Sequence, residues 1–122
     1  MPPKVLVVDD SAFMRKVLTG IIESMEWKVV GEAASGEEAV ALCGKLKPDL
    51  VTMDIVMSGM GGIEATRKIK RINPKIKVLP ITALGTQSRI MDEVIAAGGE
   101  TTYITKPFED EAVKEALSDV FS

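Results

Sequence analysis

Three acids in this sequence are set apart by where they fall. Val5-Leu6-Val7-Val8 is an apolar, β-branched run of strand length that ends in Asp9 and Asp10. Leu50, Val51 and Met53 form a second such run, preceded by the turn-forming pair Pro48-Asp49 and followed by Asp54. Two neighbouring strands with acids at their carboxyl ends would bring three negative charges into one crevice. Like charges at that range raise one another's pKa values unless a cation intervenes. An oxygen-seeking divalent cation such as Mg2+ resolves the conflict. Two further strand signals end in Thr82, a hydroxyl, and Lys106, an amine.

The elements that must position these residues alternate along the chain. Phe13, Val17, Ile21 and Met25 recur every fourth residue, with Met14, Leu18 and Ile22 beside them, which predicts a helix facing inward on those positions and capped by Ser11. A weaker strand is expected over Trp27 to Ala33. It is followed by a helix that opens at Ser35-Gly36-Glu37-Glu38, turns Ala39, Val40, Cys43 and Leu46 inward, and stops before Pro48. The Asp54 strand is the third. Its loop, Met57 to Gly62, leads into a helix with Ile63, Thr66, Ile69 and Ile72 inward, ended by Asn73-Pro74. Val78 to Thr82 reads as the fourth strand, in which Pro80 is the discordant residue. The next helix places Ile90, Met91, Val94 and Ile95 inward and stops at Gly98-Gly99. Thr102 to Thr105 is a short fifth strand, Lys106-Pro107-Phe108 follows it, and the last helix repeats Ala112-Val113, Ala116-Leu117 and Val120-Phe121.

Strands alternating with helices across short loops imply βαβ units, hence a parallel sheet with helices on both faces. The ligand crevice of such a sheet lies beyond the carboxyl ends of its strands. Asp9, Asp10, Asp54, Thr82 and Lys106 all fall there. At 122 residues the chain has the size of one domain, expected to cover 1–122, with no linker, repeat or low-complexity segment. A net charge of −3 opposes bulk attraction to nucleic acid or anionic membrane. No run is long enough to cross a bilayer and no signal core precedes the first strand, so a cytoplasmic location and no membrane insertion are expected. A single cysteine, Cys43, cannot form an internal disulfide, and the absence of histidine rules out imidazole-dependent triads and zinc sites. The basic cluster Arg67, Lys68, Lys70, Arg71, Lys75 and Lys77 lacks interleaved aromatics and reads as a solvated helix face.

Val-Asp-Asp near the start, a strand-end Asp in the middle, Thr82-Ala83 at two-thirds and Lys106-Pro107-Phe108 near the end resemble the receiver domain of two-component response regulators. The similarity spans the whole chain, and Asp-Asp-Ser-Ala-Phe-Met-Arg after the first strand resembles the stand-alone chemotaxis type. The resemblance implies a flavodoxin-like sheet of order 2-1-3-4-5. It implies Asp54 as the phosphoryl acceptor, taking phosphate from the phosphohistidine of a sensor histidine kinase of the CheA type. Mg2+ would be held by Asp10 and Asp54 directly, by Asp9 through water and by the main-chain carbonyl of Val56. Lys106 and Thr82 would bind the phosphoryl oxygens, with Ala83 leaving room. Tyr103 would be the switch aromatic and Pro107 would follow a cis bond. Phosphorylation would then shift a population of conformers and alter the surface of the fourth helix, fifth strand and fifth helix. A motor-switch or adaptor protein governing flagellar or archaellar rotation would read that surface. The protein itself is expected to be a monomer, and a phosphoacceptor rather than an enzyme beyond any intrinsic dephosphorylation.

Ser58 stands where the family usually has proline and Gly61 where it usually has aspartate, both of which loosen the acceptor loop. Val56 and Leu84 are apolar at two positions that govern water access in the family. Taken singly, each motif also has a structural reading: a helix cap, a turn, strand filler, a surface turn. A flavodoxin-like mononucleotide site fits the architecture, but Asp9-Asp10 would repel its phosphate. A haloacid-dehalogenase-type hydrolase needs a second acid two residues after its nucleophile, where this chain has Ser11. A receiver of another two-component pathway, stand-alone or cut from a DNA-binding regulator, is the remaining alternative.

Overall fold

The computed structural model describes residues 2–57, 59–83 and 86–122. In chain order the elements are β1 (Lys4–Val8), α1 (Ala12–Ser24), β2 (Lys28–Ala33), α2 (Gly36–Leu46), β3 (Leu50–Asp54), α3 (Gly62–Ile72), β4 (Lys77–Ala83), α4 (Ser88–Ala96), β5 (Ile104–Lys106) and α5 (Asp110–Val120). The strands form one sheet in the order β2-β1-β3-β4-β5, parallel at every junction. The alternation of elements expected from the sequence is therefore the fold observed.

The sheet separates two cores, and strand alternation decides which residue enters which. Val5 and Val7 of β1, Leu50 of β3, Leu79 and Ile81 of β4 and Ile104 of β5 pack against Leu18, Ile21 and Ile22 of α1 and Val113, Leu117 and Val120 of α5. Leu6, Val8, Val51, Met53 and Val78, from the other face, pack against Ala39 and Cys43 of α2, Ala65 and Ile69 of α3 and Val94 of α4. β1 and β3 are buried along nearly their whole length, as central parallel strands covered on both faces must be.

Several details differ from the periodic reading. Phe13 is 72% exposed, because α1 starts beyond the edge of the sheet and its first turn overhangs solvent. Ile72, Ile95 and Phe121 are likewise exposed, each in the last turn of its helix or just after it, and Ala112 is exposed in the first turn of α5. Phe121 instead packs edge-on to Trp27, with ring centroids 5.6 Å apart. Met91 of α4 is half-buried, and Val94 is the buried member of the inward set expected there. β5 begins two residues later than expected and includes Lys106.

Pro80 sits within β4 without breaking it. The Ile81 carbonyl accepts from Ile55 N–H on the β3 side and the Val78 carbonyl from Glu100 N–H on the opposite side. Alternate residues face alternate neighbours, so Pro80 faces the β5 side. The β5 ladder begins only at the Ile81–Ile104 pair, and the missing N–H falls where no strand needs it.

Candidate phosphoacceptor and metal site

The same alternation that sorts the core residues aims the acids. Counting by twos, Val5 and Val7 lead to Asp9, Leu50 and Thr52 to Asp54, and Ile104 to Lys106, all on the side of the sheet covered by α1 and α5. The strands run parallel, so these residues emerge together at one end. Asp9 is fully buried and Asp54 is 6% exposed, whereas Asp10, next along, turns outward to solvent. Asp9, Asp10 and Asp54 each present a carboxylate oxygen within 4.8 Å of the others. An all-oxygen donor set at that spacing suits a hard divalent ion.

Lys106 crosses the end of β4 to reach this cluster. Its Nζ lies 2.8 Å from Asp9 Oδ2 and 3.4 Å from Asp54 Oδ2. The other oxygens are held by main-chain N–H groups: Ser11 donates to Asp9 Oδ1 at 2.9 Å and Val56 to Asp54 Oδ1 at 3.3 Å. Burial, with Asp9 beside it, pushes the Asp54 carboxyl above the ordinary carboxylate value, against the opposing pull of Lys106 and the Val56 N–H. Burial alone would lower the Lys106 ammonium, but its hydrogen bond to Asp9 and the charges of both acids outweigh that and raise it. The acceptor candidate is thus a carboxylate whose charge is unwelcome without a counter-cation, beside an amine held firmly charged.

Thr82 is buried near the end of β4, with the parity of Val78 rather than of Ile81. It stands one strand over from Asp54, which is paired with Ile81. Ala83 is exposed and pairs with Lys106. Tyr103 lies just before β5, half exposed, outside the acid cluster. The Lys106–Pro107 peptide bond is cis. The Val56 side chain is 73% exposed at the mouth of the site. Ser58 and Leu84, which the sequence reading singled out, lie outside the described residues.

Three features of the site were not read from the sequence. Arg15, in the second turn of α1, donates from Nη1 to the Asp9 carbonyl at 2.8 Å and from Nε to Glu32 at 3.0 Å. Glu37 at the start of α2 accepts the Met60 N–H at 3.2 Å and so holds the acceptor loop from outside. Gly62 lets α3 begin directly against β3, since a Cβ there would strike the Asp54 carbonyl oxygen and lie 2.7 Å from Ile55 Cα. The only available signal was spacing: Arg15 falls on the same helix face as Ser11, and Gly62 follows a glycine-rich turn. Gly61, the N-cap of α3, makes no side-chain cap bond, as its lack of a side chain requires.

The basic cluster is partly consumed by the fold itself. Arg67 pairs with Glu64 at 2.8 Å, and Lys70 Nζ donates to the carbonyls of Pro74 and Ile76, both at 2.7 Å. Lys77 lies over the Phe121 ring. Arg67, Lys70 and Lys77 are thus engaged within the fold.

A parallel five-stranded sheet of this order, with three acids and a lysine at the carboxyl ends of its strands, defines a receiver. Residues 5–118 match the family described as the response regulator receiver domain, and the chain belongs to that family. It is 44% identical to the chemotaxis protein CheY of Thermotoga maritima, over 98% of each chain. It is 43% identical to the CheY of Halobacterium salinarum, over 100% of this chain and 99% of that one. Among solved structures it is similar to the CheX–CheY–BeF3–Mg2+ complex of Borrelia burgdorferi, with TM-score 0.93 and 35% identity over 100% of this chain and 91% of the other. Phosphotransfer is the general function of receiver domains, and the relatives support a chemotaxis response regulator.

Proposed function

We propose that residues 1–122 form a single receiver that takes a phosphoryl group onto Asp54 from the phosphohistidine of a CheA-like sensor kinase and, so charged, binds a motor-switch or adaptor protein. The observation that carries this reading is the setting of Asp54. It is buried at the tip of β3, with Lys106 Nζ 3.4 Å from its carboxylate and carboxylate oxygens of Asp9 and Asp10 within 4.8 Å.

An Asp54 carboxylate oxygen attacks phosphorus, the bond from phosphorus to the donor imidazole nitrogen breaks, and that nitrogen keeps the electron pair. The product is an acyl phosphate on Asp54. Lys106 already lies against this carboxylate and supplies positive charge to the arriving phosphoryl oxygens. Thr82 donates its hydroxyl to one of them, and the small side chain of Ala83 leaves the space. Asp10, Asp54 and the Val56 carbonyl would hold Mg2+, with Asp9 acting through water. That ion supplies screening between an anionic nucleophile and an anionic donor. Before transfer, Asp9 is anchored by Lys106 and Ser11 N–H.

Drawing Thr82 toward the phosphoryl group vacates space behind it, and Tyr103, now half exposed, turns into that space. The face made by α4, β5 and α5 changes with it, which is the signal the target reads. No helix among the described residues is long and apolar enough to cross a membrane, which is compatible with the cytoplasmic setting that such a kinase and target require.

The test is transfer itself. Labelled phosphate from an autophosphorylated histidine kinase should move to the wild-type protein in Mg2+ and stay on the kinase when chelator replaces Mg2+ or Asp54→Asn replaces the wild type. Equal transfer to Asp54→Asn would refute the assignment.

A further inference from the structure

We infer that Arg15 is a positioning residue for the cation site, acting through the main chain of Asp9 and Asp10; the inference rests on the reading of Asp10 and Asp54 as ligands of a divalent ion. The guanidinium makes two bonds in different directions. Nη1 donates to the Asp9 carbonyl oxygen at 2.8 Å, and Nε donates to Glu32 Oε1 at 3.0 Å near the end of β2. The Arg15 side chain is only 18% exposed and its bond to the Asp9 carbonyl is partly buried, where charge-assisted bonds are strong, whereas the bond to Glu32 lies at the surface.

The Asp9 carbonyl belongs to the peptide that joins the two acids. Asp9 is otherwise fixed on every side: its N–H donates to the Ala33 carbonyl at 3.1 Å, and its carboxylate is held by Ser11 N–H and Lys106. Asp10 is exposed, so its carboxylate depends on the Asp9–Asp10 peptide plane for its direction toward the cluster. Arg15 holds that plane. Glu32 in turn holds the guanidinium and offsets its charge.

Plain electrostatics and positioning predict opposite signs here. A cation next to three carboxylates repels a second cation, so its removal should strengthen Mg2+ binding if charge were all that mattered. Loss of the bond to the Asp9 carbonyl should weaken it, as loss of groups that orient metal ligands does, by about tenfold or more. Arg15→Lys separates the two further. It keeps the charge, but one ammonium cannot reproduce the two-directional fork.

The experiment is calorimetric titration of Mg2+ into the wild type, Arg15→Lys, Arg15→Ala and Lys16→Ala, with thermal melting of each to confirm folding. Lys16 is exposed on the same helix and serves as the charge control. Positioning predicts that both Arg15 variants lose about tenfold in affinity, that Lys16→Ala stays within twofold of the wild type, and that the Ser11 amide exchanges faster in the metal-free Arg15 variants. Wild-type affinity in Arg15→Lys, tighter binding in Arg15→Ala, or unchanged Ser11 exchange would overturn the inference while leaving the function intact. Failure of the wild type to bind Mg2+ would overturn both.

Discussion

Asp54 is buried, and its charged form is disfavoured by that burial and by Asp9. A carboxyl whose folded pKa stands above its unfolded value holds its proton more tightly when folded. Its contribution to stability is fully present below the ordinary value of 3.8 and is lost as pH rises through the raised value. At neutral pH without divalent ions, Asp54 therefore works against the fold. Asp54→Asn should raise the unfolding free energy there, an advantage that shrinks toward pH 4, about the ordinary carboxylate value; denaturant melts at the two pH values check it. If Asp54 is the acceptor as proposed, the same substitution should also abolish phosphorylation, so the site would exchange stability for chemistry. Val56 bears on loss of the phosphoryl group to water. Its exposed apolar side chain gives an approaching water no hydrogen-bond partner, whereas Val56→Asn supplies one. The phosphorylated Asn variant should hydrolyse several-fold faster than the wild type, as measured by loss of label; an unchanged rate would refute this role.

At the scale of elements, short junctions on either side of the strands place the acids. Ser11 caps α1 by accepting Met14 N–H at 3.2 Å while its own N–H holds Asp9. Ser11→Ala removes the first bond and keeps the second, so it should cost about 1 kcal/mol while Mg2+ affinity is retained. Gly62→Ala is the harsher change. With the Asp54 carbonyl and Ile55 Cα in the way, α3 or the end of β3 must shift, and a loss of about 2 kcal/mol in denaturant melts should come with weakened Mg2+ binding. The strand order was legible only through family resemblance, but the strands themselves were legible from their runs. Asp9, Asp54 and Lys106 could be placed at strand ends because apolar runs stop there, and parity then fixes their side of the sheet. Helix ends were less legible. Phe13, Ile72, Ile95 and Phe121 continue the apolar period past the point where the sheet lies beneath them, and periodicity carries no information about where a neighbour stops. Arg15 and Glu37 escaped notice because their partners are main-chain groups 6 and 23 residues away, a type of contact that leaves no mark in residue pattern.

On the scale of the whole molecule, a parallel sheet with two cores holds the carboxyl end of every strand at one pole, and that pole collects carboxylates. A ligand that binds the folded form alone stabilises it by mass action, about 2.7 kcal/mol at a hundredfold excess over its dissociation constant. Mg2+ should therefore raise the melting temperature of the wild type, and much less that of Asp10→Asn, which would lose a proposed ligand but keeps the buried pair of Asp9 and Lys106. Such a rise would show that the acids act as one cation site, though not yet that the site transfers phosphate. The most direct test of the central claim treats the protein with a small-molecule phosphodonor and Mg2+ and maps the modified residue by peptide mass spectrometry. The account predicts one base-labile phosphoryl adduct, on Asp54, absent in Asp54→Asn and in Mg2+-free buffer. An adduct on another residue, or none on Asp54 while the protein is folded and Mg2+ is bound, would contradict it.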